Sequence, residues 1–222
     1  MGLDFDFSVI FKHFPYLLKG LGLTLILTGL SMLLGWAFGL ILCFSRMSKL
    51  KFFRIASIVV IESIRNTPSL VHVMWVYYAL PFLIGVDLNP FLSGIIALTA
   101  IAMVYLGEMF RSGIQAIGRQ QTEGALALGM NYFLTMRRVI LPQAFRNIIP
   151  GIMTLFVETL KLSAICSFIS VTELMYRGVV VTGWTYRPFE IYTVVGIMYI
   201  SVAVPISLYV SKIEKRMRKI YG

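Results

Sequence analysis

Three acid–base pairs stand inside otherwise apolar stretches of this sequence: Glu62 with Arg65, Glu108 with Arg111, and Glu158 with Lys161. Residues three apart share a helix face, so each pair can close on itself or present both charges to one neighbour. Ionisable groups are costly in lipid and persist there when paired or functional. The first two pairs sit towards the ends of their apolar runs, where long side chains can reach the interface. They read as structural ion pairs. Glu158 and Lys161 lie near the middle of a run, with Ser163 and Ser167 close behind. A solute carrying an ammonium and a carboxylate would find one opposite charge for each. The same two groups can equally bridge each other at a subunit interface. Thr67, in the interruption Arg65-Asn-Thr-Pro-Ser-Leu70, joins them as a candidate polar residue of a path. Thr24, Thr28 and Ser31 share one face of the first run and either line such a path or bond within and between helices.

The elements that must hold these residues follow from composition. Hydrophobic residues make up 58% of the 222 and charged residues 14%, against roughly 45–50% and about 25% in soluble domains. Such a chain cannot cover itself in water and reads as an all-α membrane protein. Five runs, at about 17–44, 55–83, 91–114, 148–174 and 191–210, approach the roughly 20 residues that cross a bilayer. Lipid offers no partner to backbone polar groups, so all five are expected as helices of one transmembrane domain, 1–222. The net charge of +10 comes from bases beside these runs, where they meet anionic lipid; that argues against nucleic acid. Cys43 and Cys166 lie within apolar runs and read as packing residues, with no zinc spacing. The first residues, Met1-Gly-Leu-Asp-Phe-Asp6, carry acids where a signal peptide needs bases, so the first run reads as a true span.

Orientation comes from the links. The first holds Arg46, Lys49, Lys51 and Arg54; the second holds only Asp87; the third holds Arg119, Arg137, Arg138 and Arg146. In the fourth, Arg177 and Arg187 are offset by Glu173 and Glu190, while the tail carries Lys212, Lys215, Arg216, Arg218 and Lys219. Positive segments favour the cytoplasm, which predicts the N-terminus outside and the tail inside.

The third link, about 118–147, is long and compositionally rich. Thr122 or Gln121 can cap a helix, with Glu123 at its positive end. Gly129 is a natural stop. Asn131 can cap a second short helix, which Pro142 would end. On these signals alone the link is a helical hairpin on the cytoplasmic face. Its sequence, however, resembles the EAA loop of bacterial ABC importer permeases: Glu-Ala-Ala, three residues, Gly, nine residues, Ile-x-Leu-Pro. Glu123, Ala125, Gly129, Leu141 and Pro142 fall at matching positions; Gly124 replaces the second residue and Val139 the Ile. The segments Leu126-Ala-Leu-Gly-Met130, Ile140-Leu-Pro-Gln-Ala144, Glu108-Met-Phe-Arg-Ser-Gly-Ile-Gln-Ala-Ile117, Arg65 to Leu70 and Leu18-Lys-Gly-Leu-Gly-Leu-Thr-Leu25 are similar to the polar amino acid branch of that family.

The resemblance implies a type I ABC importer permease fold in the bacterial inner membrane. It also implies an ATP-driven importer of polar amino acids, in which Glu123, Gly124, Ala125, Gly129, Leu141 and Pro142 couple the chain to a cytoplasmic ATPase dimer. Its further partners would be a second permease subunit, identical or homologous, and an extracytoplasmic amino acid binding protein. ATP and magnesium would be bound by the ATPase, and no cofactor by this chain. Where many relatives read Lys-Asp-Thr-Ser, this chain reads Lys161-Leu-Ser-Ala164, a form similar to some acidic amino acid permeases.

Other classes lack their residues. There is no Gly-x4-Gly-Lys-Ser/Thr phosphate loop, so ATP hydrolysis belongs to another subunit. An intramembrane enzyme would need paired acids or a Ser–His pair, yet His13 and His72 stand alone. An ion-coupled secondary transporter or small channel would be supported by inverted repeats, which the five runs do not display.

Overall fold

The computed structural model describes residues 7–221, without the side chains of 216 and 218–221. The acidic start, Met1 to Asp6, and the side chains of Arg216, Arg218 and Lys219 therefore lie outside the described residues. Every described regular element is a helix.

Helix α1, Ser8–Met47, has 40 residues and a length of about 60 Å, twice a hydrocarbon core. It starts nine residues before the expected boundary at 17. Burial explains the extension: Ile10 and Leu17 pack with Leu174, Val181, Ile191 and Val195 from two later helices. Helix α2, Lys51–Arg65, and helix α3, Ser69–Ile84, meet at an angle of 108°. The expected single run 55–83 is thus broken. Pro68 has no N–H to give and pushes Thr67 out of the helical region. Side chains support the end of α2: Thr67 Oγ1 donates to Ser63 O at 2.7 Å, and Asn66 Nδ2 adds a bond at 2.8 Å to Glu62 O, which also accepts from Asn66 N at 3.1 Å.

Helix α4, Pro90–Gln115, is the centre of the bundle, with 56% of its most apolar stretch buried. Asn89 Oδ1 caps it by accepting from Leu92 N at 2.8 Å, with Pro90 in the first turn. It lies along α1 on a seam of small residues. A Cβ on Gly35 would sit 2.7 Å from Ala102 Cβ, and one on Gly39 would sit 3.1 Å from Gly107 N. Backbones approach this closely in membranes because dispersion, rather than water exclusion, joins helices there.

Helix α5, Arg119–Ala127, is the short helix of the third link. Helix α6 runs Tyr132–Ile169, its last turns, Ser163–Ile169, wound as a 3₁₀ helix. The expectation that Pro142 ends a short helix fails. The five residues before Leu141, Met136–Ile140, form a π turn, and Pro142 then sits in the first α turn that follows. Widening to i→i−5 bonding accommodates a residue that has no N–H and whose ring would crowd the carbonyl four back. The same device recurs in α3, where the π turn Trp75–Ala79 precedes Leu80-Pro81. Helix α7, Leu174–Thr185, and helix α8, Pro188–Tyr221, complete the chain. Among the described residues, four helices are long and apolar enough to cross a membrane (α1, α4, α6 and α8), and the α2–α3 pair makes a fifth if it is one bent span.

Candidate functional site

The third link is built as a compact platform. Gly118, not Thr122 or Gln121, is the N-cap of α5, and it makes no side-chain cap. Glu123 therefore falls in the second turn, where it caps nothing. It is exposed, and its side chain makes no hydrogen bond or ion pair among the described residues. The helix ends in a Schellman turn. Gly129 has φ +79°, its N–H donates to Leu126 O at 2.9 Å, and Met130 N donates to Ala125 O at 3.1 Å. Asn131 Oδ1 then caps α6 by accepting from Leu134 N at 2.8 Å.

Ala125 is only 5% exposed, so the close approach its small side chain permits is to its own chain. Gly124 faces open space: a Cβ added there would meet nothing within 4 Å, so an alanine would fit without displacing a neighbour. Leu141 is half-buried and Pro142 exposed. Between α5 and the bundle lies a cavity of about 370 Å³ lined by Met47, Ile114, Thr122, Tyr132 and Thr135 among others. Sequence reasoning missed the apolar outer surface of the platform: Leu126, Leu128, Tyr132 and Phe133 are all exposed. Their placement next to capping residues gave no periodic signal.

Deeper in the bundle, Lys161 Nζ donates to Glu158 Oε1 at 2.6 Å, with side-chain exposures of 52% and 60%. Glu158 lines a cleft of about 360 Å³ with Ser69, Tyr105, Thr154 and Thr159. Ser69 opens α3 just past the proline break, so the break aims the start of α3 at this cleft. Ser69, Tyr105 and Thr154 were not singled out from sequence because they come from three separate helices and only the packing brings them beside Glu158. Ser163 is fully buried and bonds Leu160 O at 2.7 Å; it does not line the cleft. Ser167 opens on a separate apolar cleft with Phe168, Met175 and Tyr176. Thr67 is half-buried and committed to the end of α2. Thr24, Thr28 and Ser31 are fully buried between helices.

Towards the C-terminal end of α4, Arg111 Nη2 bonds Glu108 Oε2 at 2.7 Å, and Arg46 Nε approaches Glu108 Oε1 at 3.5 Å, tying α1 to α4. Glu62 and Arg65 do not pair. Glu62 Oε2 accepts from Asn66 Nδ2 at 3.0 Å, and Arg65 lies over the Tyr105 ring at 5.9 Å. The helix break supplies Asn66 as a nearer donor than the arginine.

This arrangement, a bundle of apolar helices with one exposed helical platform and a charged pair whose glutamate lines a cleft, agrees with a family match over residues 31–219 to the binding-protein-dependent transport system inner membrane component. The chain belongs to that family. It is a multi-pass inner membrane protein with the fold of a type I ABC importer permease. Among its relatives, the arginine transport system permease protein ArtQ of Bacillus subtilis (strain 168) is 30% identical, covering 97% of this chain and 99% of that one. The glutamine transport system permease protein GlnP of Escherichia coli (strain K12) is also 30% identical, with the same coverage of each. A crystal structure of an amino acid ABC transporter with histidines superposes with a TM-score of 0.90 at 34% identity, over 96% of this chain and 100% of that one.

Proposed function

We propose that this permease imports polar amino acids, driven by a separate ATPase that docks on the platform from Glu123 to Pro142. The observation that carries this reading is the continuity of α6. Asn131 caps it at the platform, and it reaches Glu158 and Lys161 as one helix whose irregular points are the π turn at 136–140 and the interior Pro150. Platform and charged pair are therefore ends of one continuous helical rod about 40 Å long. A push on the platform is delivered at the cleft.

The chemistry of each end suits the reading. Exposed Leu126, Leu128, Tyr132 and Phe133 offer a partner an apolar anchor beside Glu123. Glu158 and Lys161 are too exposed and too charged to face acyl chains. They would face a watery path or a second permease subunit, identical or homologous. There Glu158 attracts the ammonium of an amino acid and Lys161 its carboxylate. Relatives named for arginine and glutamine transport support the substrate class. On this reading the N-terminus lies outside, the platform and tail lie in the cytoplasm, a binding protein delivers substrate from outside, and ATP with magnesium is held by the ATPase dimer. The chain itself performs no hydrolysis. Co-purification with the ATPase, followed by a screen of amino acids for stimulation of ATP hydrolysis in the presence of the binding protein, tests this reading. No stimulation by any polar amino acid would contradict it.

A further inference from the structure

Glu173 belongs to neither end of that rod, yet its side chain is fully buried. It is the N-cap of α7, where Oε1 accepts from Tyr176 N at 2.8 Å. Oε2 accepts from Tyr199 Oη of α8 at 2.8 Å and from Thr24 Oγ1 of α1 at 3.3 Å. Thr24 Oγ1 in turn accepts from Leu174 N at 3.2 Å. Three helices converge on one carboxylate, and no lysine or arginine pairs with it among the described residues. Arg177, one turn later, is used elsewhere: it stacks on the Tyr16 ring at 4.4 Å and donates to Tyr16 O and Thr172 O. The approach to α1 is close, since a Cβ on Gly20 would lie 2.9 Å from Leu174 Cα.

The position of Glu173 in the chain gives this node a consequence. The 3₁₀ turns Ser163–Ile169 end at Ser170, which has φ +65°. Val171 N then returns to Cys166 O at 3.2 Å, and Glu173 N to Val171 O at 2.8 Å. The stretch of chain leaving Ser167 is thus folded back within a few residues and pinned at Glu173. A non-glycine residue in the left-handed region persists only where its surroundings hold it.

We propose that Glu173 is a positioning residue for the translocation path. By gathering Thr24, Tyr199 and the first turn of α7 on one carboxylate, it fixes the turn 163–170 that follows Glu158 and Lys161, and so anchors the end of α6 that carries the pair. This rests on the reading of the Glu158–Lys161 end as the path. Glu173 touches no substrate; it acts through the turn.

The test combines two readouts on the assembled complex with its ATPase and binding protein. Glu173→Gln keeps an acceptor for Tyr176 N but replaces the second acceptor oxygen; Tyr199→Phe and Thr24→Val each remove one donor and guard against a Glu173 variant that fails to assemble. Hydrogen–deuterium exchange should speed up about tenfold across 163–178, the scale expected when a buried hydrogen bond is lost, with α4 unchanged. The apparent KM for amino acid uptake should rise by several-fold while the ATPase rate without substrate stays the same. Unchanged exchange in all three variants would overturn the positioning role. Faster exchange with unchanged KM and maximal uptake would overturn the assignment of this end as the path, and the functional half of the proposal with it.

Discussion

Glu158 and Lys161 close a 2.6 Å ion pair on one face of α6 with more than half of each side chain exposed. A pair that faced only its own helix bundle would be buried, and one that faced lipid would cost several kcal/mol. On the reading proposed above, that exposure faces the path of a charged solute.

Glu158→Gln and Lys161→Met should each lower uptake by tenfold or more, on the order of the 1–3 kcal/mol that a charge-assisted bond contributes. Assembly with the ATPase should be unaffected. The charge-reversed double variant Glu158→Lys with Lys161→Glu separates the two uses of the pair. It would restore a purely structural bridge, yet should not restore uptake if the residues meet opposite ends of the substrate. Recovery to wild-type uptake would assign the pair to packing.

The glycines of the platform should behave oppositely. Gly129→Ala places a Cβ at φ +79°, which costs about 1–2 kcal/mol and loosens the turn. Gly124→Ala meets nothing within 4 Å and should stabilise α5 by up to about 1 kcal/mol. Pull-down of the ATPase, measured side by side for the two variants, should weaken for the first and hold for the second.

How legible these features were depended on distance along the chain. Gly129 as a stop and Asn131 as a cap could be read because both act on residues within a turn of themselves. Pro142 was misread as a stop because its tolerance depends on the π turn at 136–140, which no propensity rule anticipates. The break at 66–68 was hidden by the apolar run on either side of Pro68. Glu173 read as a link residue offsetting Arg177, since its partner Thr24 is 149 positions away. Glu62 and Arg65 had the spacing of a pair but not the surroundings: Asn66 reaches Glu62 first.

The seam between α1 and α4 should tolerate no added volume. Gly35→Val would drive a side chain into Ala102, whose Cβ would already be 2.7 Å from a Cβ at 35. Overpacking of this kind costs about 1–3 kcal/mol. The yield of monodisperse protein should fall, and Ala102→Gly in the same chain should recover part of it for the smaller Gly35→Ala change.

Orientation can be read with impermeant thiol reagents, because native Cys43 and Cys166 are 1% and 0% exposed and should stay silent. Lys12→Cys should label from outside intact cells, and Gln120→Cys only after the cytoplasmic side is opened. The reverse pattern would invert the topology proposed above.

The most direct measurement is uptake of labelled amino acids into proteoliposomes that hold this chain, its ATPase and ATP, with the binding protein on the opposite side. The expected result is ATP-dependent accumulation of a polar amino acid, abolished when either the ATPase or the Gly129 turn is disrupted. Accumulation driven by an ion gradient with no ATPase present would contradict an ATP-driven importer.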